Sequence, residues 1–177
     1  MTGDEIKRYL EASYDKWINT VGKADDTLLK IQNQDDPRTQ SQRWSFVNRS
    51  YNFDSAAGIN YTVDVTRPAG ERIAISGMAD GSAFDPLREY NVAMTSYRAS
   101  GGGGLMKEVG IDTDRIDERV VARYPEIRNI LYDYLMENGS IDPEVIGLPT
   151  VIGQWKFVPE KLVEPAMERD MNRLFKR

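Results

Sequence analysis

The chain has 177 residues, 40% hydrophobic and 29% charged, with a formal net charge of −5, the balance of a globular domain rather than a disordered or fibrous one. That acidic balance argues against a nucleic-acid polymer or an anionic membrane as the main partner, because both need a basic face. The chain contains no Cys and no His, which excludes disulfides, thiolate ligands, Ser-His-Asp triads and His-rich metal centres within these residues, while a carboxylate Mg²⁺ or Ca²⁺ site stays open.

Taken in chain order, the first element is a helix. Thr2 is its predicted N-cap and Glu5, three positions on, closes a capping box. Ile6, Leu10, Tyr14, Trp17, Ile18 and Val21 follow at helical spacing as one apolar stripe. A stripe that begins so near residue 1 predicts a chain cut from a longer one. Met1 to Glu5 are polar and acidic, so no secretory leader is predicted in them, and no apolar run approaches the ~18 residues of a membrane span.

Residues 22–43 are polar and turn-prone and predict a long surface excursion, with a short helix around Leu28–Ile31. From Trp44 the pattern becomes that of strands. Ile59, Tyr61, Val63 and Val65 alternate with polar residues, Pro68-Ala69-Gly70 turns the chain, and Ile73 and Ile75 start the antiparallel partner. Tyr90, Val92 and Met94 predict a third strand over Glu89–Tyr97. An acidic stretch with Asp112, Asp114, Asp117 and Glu118 lacks the ligand order of a calcium loop and reads as solvated surface. Pro125 precedes a helix whose expected buried face is Ile127, Ile130, Leu131, Tyr134 and Leu135, stopped at Asn138-Gly139. Trp155, Phe157 and Val158 predict a last short strand, and residues 160–175 a final amphipathic helix broken near Pro165. Trp17, Trp44 and Trp155 are expected in the core. The fold class is therefore α+β, a single domain with a mixed or antiparallel sheet flanked by helices.

The most informative stretch runs from Tyr90 through Tyr97-Arg98-Ala99-Ser100 to Gly101-Gly102-Gly103-Gly104. Read physically, it is a strand ending in an aromatic, followed by bare backbone. Glycines permit positive φ and close approach of a ligand, and their amides can converge on an anion. An aromatic at the rim offers a face on which a base can stack. Two bland readings stand beside these: a flexible loop, and a tyrosine that merely packs. No Gly-Lys-Ser/Thr follows, so it is not a Walker loop, and no helix is predicted to open on it, so it is not a dinucleotide fingerprint. Arg98 is expected to be a solvated side chain.

This segment resembles the signature of the 5′-nucleotidase C-terminal domain, which runs roughly Tyr-x-Val-x-x-x-(Phe/Tyr)-x-Ala-x-Gly-Gly-Asp-Gly. Tyr90, Tyr97, Ala99 and Gly101-Gly102 fill the matching places. Met1-Thr2-Gly3…Leu10-Glu11 is similar to the family's helix entry. Tyr51-Asn52-Phe53-Asp54, Gly58 to Asp64, and Pro68 to Ile73 are similar to the stretch before the signature. The resemblance covers about residues 1–105, with 106–177 as a helical and strand extension. That tail is similar to homologues from the Bacteroides group.

The resemblance implies a nucleotide- or nucleoside-recognition domain that is not itself catalytic. Its partner would be an N-terminal metallophosphoesterase domain on the same parent chain or operon, holding two divalent metal ions, with no cofactor in this chain. It implies that Tyr97 is one of two aromatics sandwiching the base. Gly101, Gly102 and Gly103 would form the pocket wall, and Phe53 and Asp54 a loop whose backbone meets the base. The other aromatic and the substrate-gripping arginines of the family lie upstream of the matched helix. The family's ribose-binding Asp is Gly103 here, which puts ordinary ribonucleoside specificity in question. The resemblance further implies export to the periplasm or cell surface. The other readings are an interaction or structural module that has lost nucleoside binding, and a sibling activity such as 2′,3′-cyclic-nucleotide phosphodiesterase or a thiosulfate-oxidising thiohydrolase.

Overall fold

The computed structural model describes residues 1–23, 25–34, 44–146 and 153–175. Asp35, Asp36 and Pro37 of the expected surface excursion lie outside them. Helix α1 spans Gly3–Asp15, and its capping box forms as the sequence predicts: the Thr2 hydroxyl accepts from the Glu5 amide, and the Glu5 carboxylate accepts from the Thr2 amide. Its apolar face continues through Trp17, Ile18 and Val21 into the main core.

That core is built against a three-stranded sheet ordered β4-β3-β5. β3 (Ile59–Asp64) and β4 (Ile73–Met78) pair antiparallel. β5 (Trp155–Val158) pairs parallel with β3, Tyr61 opposite Trp155 and Val63 opposite Phe157. The alternation in β3 is real: Ile59, Tyr61 and Val63 are buried, and the residues between them less so. Helix α5 (Glu160–Phe175) closes the layer with Val163 and Ala166. It runs through Pro165 without the expected break; Val163, Ala166 and Asp170, buried on either side of the proline, hold both halves against the core.

The short helix expected at Leu28–Ile31 is absent. Leu29 instead bridges Ile18 antiparallel, and Ile31–Asn33 forms strand β1, paired with β2 (Trp44–Phe46) in a ribbon. The Asn19 side chain donates to the carbonyls of Thr27 and Leu29, which fixes this stretch as extended chain. Trp17 is buried; Trp155 is half-buried against Tyr14 and Tyr61, and Trp44 lies half-buried under the Arg173 guanidinium.

A buried carboxylate, Glu11, a half-buried one, Asp15, and one arginine tie α1 to the sheet. Glu11 accepts the amides of Arg72 and Ile73 at the entry to β4. The Arg72 guanidinium, buried with it, reaches Asp15 at 3.1 Å and the carbonyls of Ile18 and Asn19. The pair meets the requirement that a buried charge be partnered.

A second cluster, Tyr9, Leu105, Met106, Val109 and Ile111, packs the four-residue helix α3 (Leu105–Glu108) on the other side of α1. This contact fixes the downstream end of the glycine run. Beyond it lie a 3₁₀ segment (Thr113–Glu118) and helix α4 (Ile127–Asn138), which ends on Gly139 in the left-handed region as the sequence predicts. The apolar face of α4 is not buried, contrary to expectation. Ile127 is 67% exposed, and Ile130, Leu131 and Leu135 are exposed too. The residues around it, 119–126 and 139–146, are themselves mostly exposed and supply no layer to receive that face.

Candidate functional site

The segment from Glu89 to Tyr97 is not a strand. Apart from a bridge between Thr2 and Glu89 it has no partner strand among the described residues, and Tyr97 sits on a one-turn helix, α2 (Ser96–Ala99). The local chemistry explains the departure. Thr95 caps that turn, its side chain accepting from the Arg98 amide, and a cap residue favours ending an extended run there. The leading tyrosine, Tyr90, stacks on Phe84 at 5.2 Å and accepts from the Asp85 amide, which braces the entry to the segment.

The glycines turn the chain back under the tyrosine. Gly101, Gly103 and Gly104 have φ of 93°, 78° and 77°, the region glycine enters without a Cβ penalty. The amides of Gly101, Gly102 and Gly104 donate to the carbonyls of Arg98, Tyr97 and Gly101. They close the loop on itself and do not converge outward as an anion nest. A helix does open on the run: Gly104 is the N-cap of α3.

Gly102 is the seat of the Tyr97 ring. A Cβ at Gly102 would lie 2.5 Å from three ring carbons, so only glycine lets the ring rest there. Tyr97 remains 49% exposed. Beside it opens a cleft of about 380 Å³ whose lining includes Ser96, Tyr97, Ser100, Ile116, Val120 and Arg123.

Beneath the ring lies a polar hub. Arg98, expected in solvent, is only 5% exposed. Its Nε and Nη2 reach the two Asp54 carboxylate oxygens at 2.7 and 2.9 Å, a bidentate pair. Nη2 also donates to the Tyr51 carbonyl, and Nη1 to the Gly102 carbonyl and the Asn52 amide oxygen. The guanidinium carbon stands 5.4 Å from the centre of the Tyr97 ring. Tyr9 donates to Asp54 at 2.6 Å, and burial together with that hydrogen bond holds the Tyr9 phenol well above its ordinary pKa, so it stays a donor. Ser13 of α1 completes the ring of contacts through the Asp54 backbone. Lys16 donates to the Gly103 carbonyl at 3.0 Å and pairs with Glu108 at 2.6 Å.

The sequence-derived site residues therefore separate into two sets. Tyr97, Gly101, Gly102, Gly103 and Asp54 come together. Phe53 does not present its ring to the cleft: it is packed edge-on against Tyr14, 5.1 Å between centroids, as part of the core. The Asp54 carboxylate is engaged by Arg98 and Tyr9 and works as an anchor within the protein. Asn52, Arg98, Tyr9 and Lys16 were missed. Arg98 lies inside the signature stretch and Asn52 inside Tyr51-Asn52-Phe53-Asp54, but a sequence does not show which long side chain folds inward. The acidic residues Asp112, Asp114, Asp117 and Glu118 are exposed, and among the described residues no group of three or more carboxylates could hold a metal ion.

Together these features define a small α+β domain with an open aromatic ring fixed on a glycine loop. The 5′-nucleotidase C-terminal domain model matches residues 1–109, and the chain belongs to that family. It is 32% identical over 158 residues to the trifunctional nucleotide phosphoesterase protein YfkN of Bacillus subtilis, a match covering 81% of this chain and 9% of the relative. It is 31% identical over 169 residues to a 2′,3′-cyclic-nucleotide 2′-phosphodiesterase/3′-nucleotidase of Haemophilus influenzae, covering 89% of this chain and 22% of that one. A protein of the same description from Salmonella typhimurium is 31% identical over 112 residues. The chain thus spans at most about a fifth of the length of the first two relatives, which are phosphoesterases. No solved structure matches it significantly.

Proposed function

We propose that this domain recognises the base of a nucleotide for a metal-dependent phosphoesterase, with Tyr97 as the stacking surface. One observation carries the reading: a half-exposed tyrosine ring held over a glycine by a buried arginine hub. A ring that merely filled space would be covered. The names of the relatives, nucleotide phosphoesterase and cyclic-nucleotide phosphodiesterase, support a nucleotide as ligand.

The metals that such a parent enzyme would use do not fit this chain. It has no His or Cys, and its described carboxylates form no ligand cluster. They would be held by a metallophosphoesterase domain outside these residues. What this chain supplies is positioning, which limits the reaction to one bound geometry. Export to the periplasm or cell surface belongs to the same reading.

The test is calorimetric titration of adenosine, AMP and 2′,3′-cyclic AMP into the wild type and Tyr97→Ala. Stacking on one aromatic is worth about 1–3 kcal/mol, so the variant is expected to bind roughly five- to 150-fold more weakly. Equal affinity in the two proteins would remove Tyr97 from the site.

A second reading, an interaction module without nucleoside binding, is favoured by the exposed apolar face of α4. It predicts no heat with any nucleotide.

A further inference from the structure

Asn52 ends the 3₁₀ turn Ser50–Asn52, at the hydroxyl end of the Tyr97 ring. Its amide oxygen accepts twice, from Arg98 Nη1 at 3.1 Å and from the Tyr97 hydroxyl at 3.3 Å. The orientation of this amide follows from chemistry. A guanidinium has only donors, so the atom facing Arg98 must be the oxygen. A flipped amide would set two donors against each other. The amide nitrogen is therefore directed away from the arginine, and among the described residues it makes no hydrogen bond.

Gly103 makes this arrangement possible. A Cβ at that position would stand 2.3 Å from Arg98 Nη1 and 2.9 Å from the Asn52 oxygen. Any side chain there would push the guanidinium and the amide apart. The absence of a side chain at 103 and the fixed amide at 52 are one feature. Nor does the Gly103 amide donate to a partner among the described residues.

We infer that Asn52 is the specificity-determining residue of the site: its amide N–H₂ donates to a hydrogen-bond acceptor, a ring nitrogen or keto oxygen, on the edge of the base stacked on Tyr97. The inference rests on the proposed stacking role of Tyr97 and adds what that role lacks. Stacking accepts any flat ring, because every base has a π-face. A donor locked in place by Arg98 discriminates, since a ligand without the acceptor leaves that donor unpaired.

The experiment is a titration of two ligands into four proteins, each with all 177 residues. The ligands are adenosine and indole riboside, which keeps the flat surface and the sugar but has no ring-nitrogen acceptor. The proteins are the wild type, Asn52→Ala, Asn52→Asp and Tyr97→Ala. Asn52→Asp keeps an oxygen for Arg98 and replaces the donor by a charged acceptor, so it preserves the hub if the alanine variant does not. The wild type is expected to prefer adenosine about tenfold or more. Asn52→Asp and Asn52→Ala are expected to lose that preference while still binding indole riboside. Tyr97→Ala is expected to weaken both ligands. An Asn52→Asp protein that keeps the wild-type preference overturns the role of Asn52, as does a wild type that binds the two ligands equally. A Tyr97→Ala protein that binds adenosine as the wild type does, or a wild type that binds neither ligand, overturns the stacking role and this inference with it.

Discussion

Tyr14 and Tyr97 put the same side chain to opposite uses. Tyr14 is 0% exposed, with Phe53, Tyr61, Trp155 and Phe157 set edge-on around it and its hydroxyl bonded to that of Tyr61 at 3.0 Å. Burial pushes its phenol above the ordinary pKa, so it is neutral at pH 7. Tyr97 is half open, rests on Gly102, and has charge rather than hydrocarbon beneath it. The first ring stabilises the fold through the apolar surface it removes from water. The second contributes little in that way, yet a bidentate buried ion pair holds it. That so much polar machinery positions an open ring is what the proposed stacking role rests on.

Substitutions can break that contrast. The largest effect is expected at Arg98. Arg98→Ala leaves the Asp54 carboxylate without its charge partner and should destabilise by about 3 kcal/mol in urea titration, although the residue is not in the core. Gly103→Ala comes next, at about 2 kcal/mol, because a left-handed backbone and the contact with Arg98 add together. Tyr14→Phe removes one hydrogen bond from a sealed cluster and should cost about 1 kcal/mol.

Gly102→Ala sharpens the contrast further. The ring it displaces can swing into solvent, so unfolding should change by less than about 0.5 kcal/mol, as for other surface positions. Nucleoside binding should nonetheless fall roughly tenfold or more, because the stacking surface moves. Loss of stability with retained binding would reverse the assignment.

The smallest effect concerns Glu5. Burial alone would raise its pKa, but the Thr2 amide and Arg119 overcome that and hold it below the ordinary value. Its ionised form therefore contributes stability above the unfolded-state pKa, and the contribution is lost as pH falls through the lowered folded value. Glu5→Gln should be slightly less stable than the wild type at pH 7, with the difference closing in acid, as followed by thermal melts across pH 2–7.

What was legible in the sequence was local or periodic. Thr2 and Glu5 announce the cap of α1, and the two-residue period announces β3, because each signal is complete within a few residues. The same period at Tyr90, Val92 and Met94 misled, since a strand also needs a neighbour and none lies beside it among the described residues. The helix at Ile127–Asn138 was legible, but its burial was not, because periodicity says which face is apolar and not what covers it. At the site, Tyr97 and the glycines stood out by type. The inward turn of Arg98 depends on Asp54, forty-four residues earlier in the chain, and only the fold brings them together.

The most direct measurement is the proton NMR spectrum of bound adenosine. A base stacked on the Tyr97 ring must show its H2 and H8 signals shifted upfield by the ring current. The account predicts that shift with the wild type and its disappearance with Tyr97→Leu, which keeps an apolar side chain but no ring. An identical shift in the two proteins, or bound adenosine with none, would contradict the account.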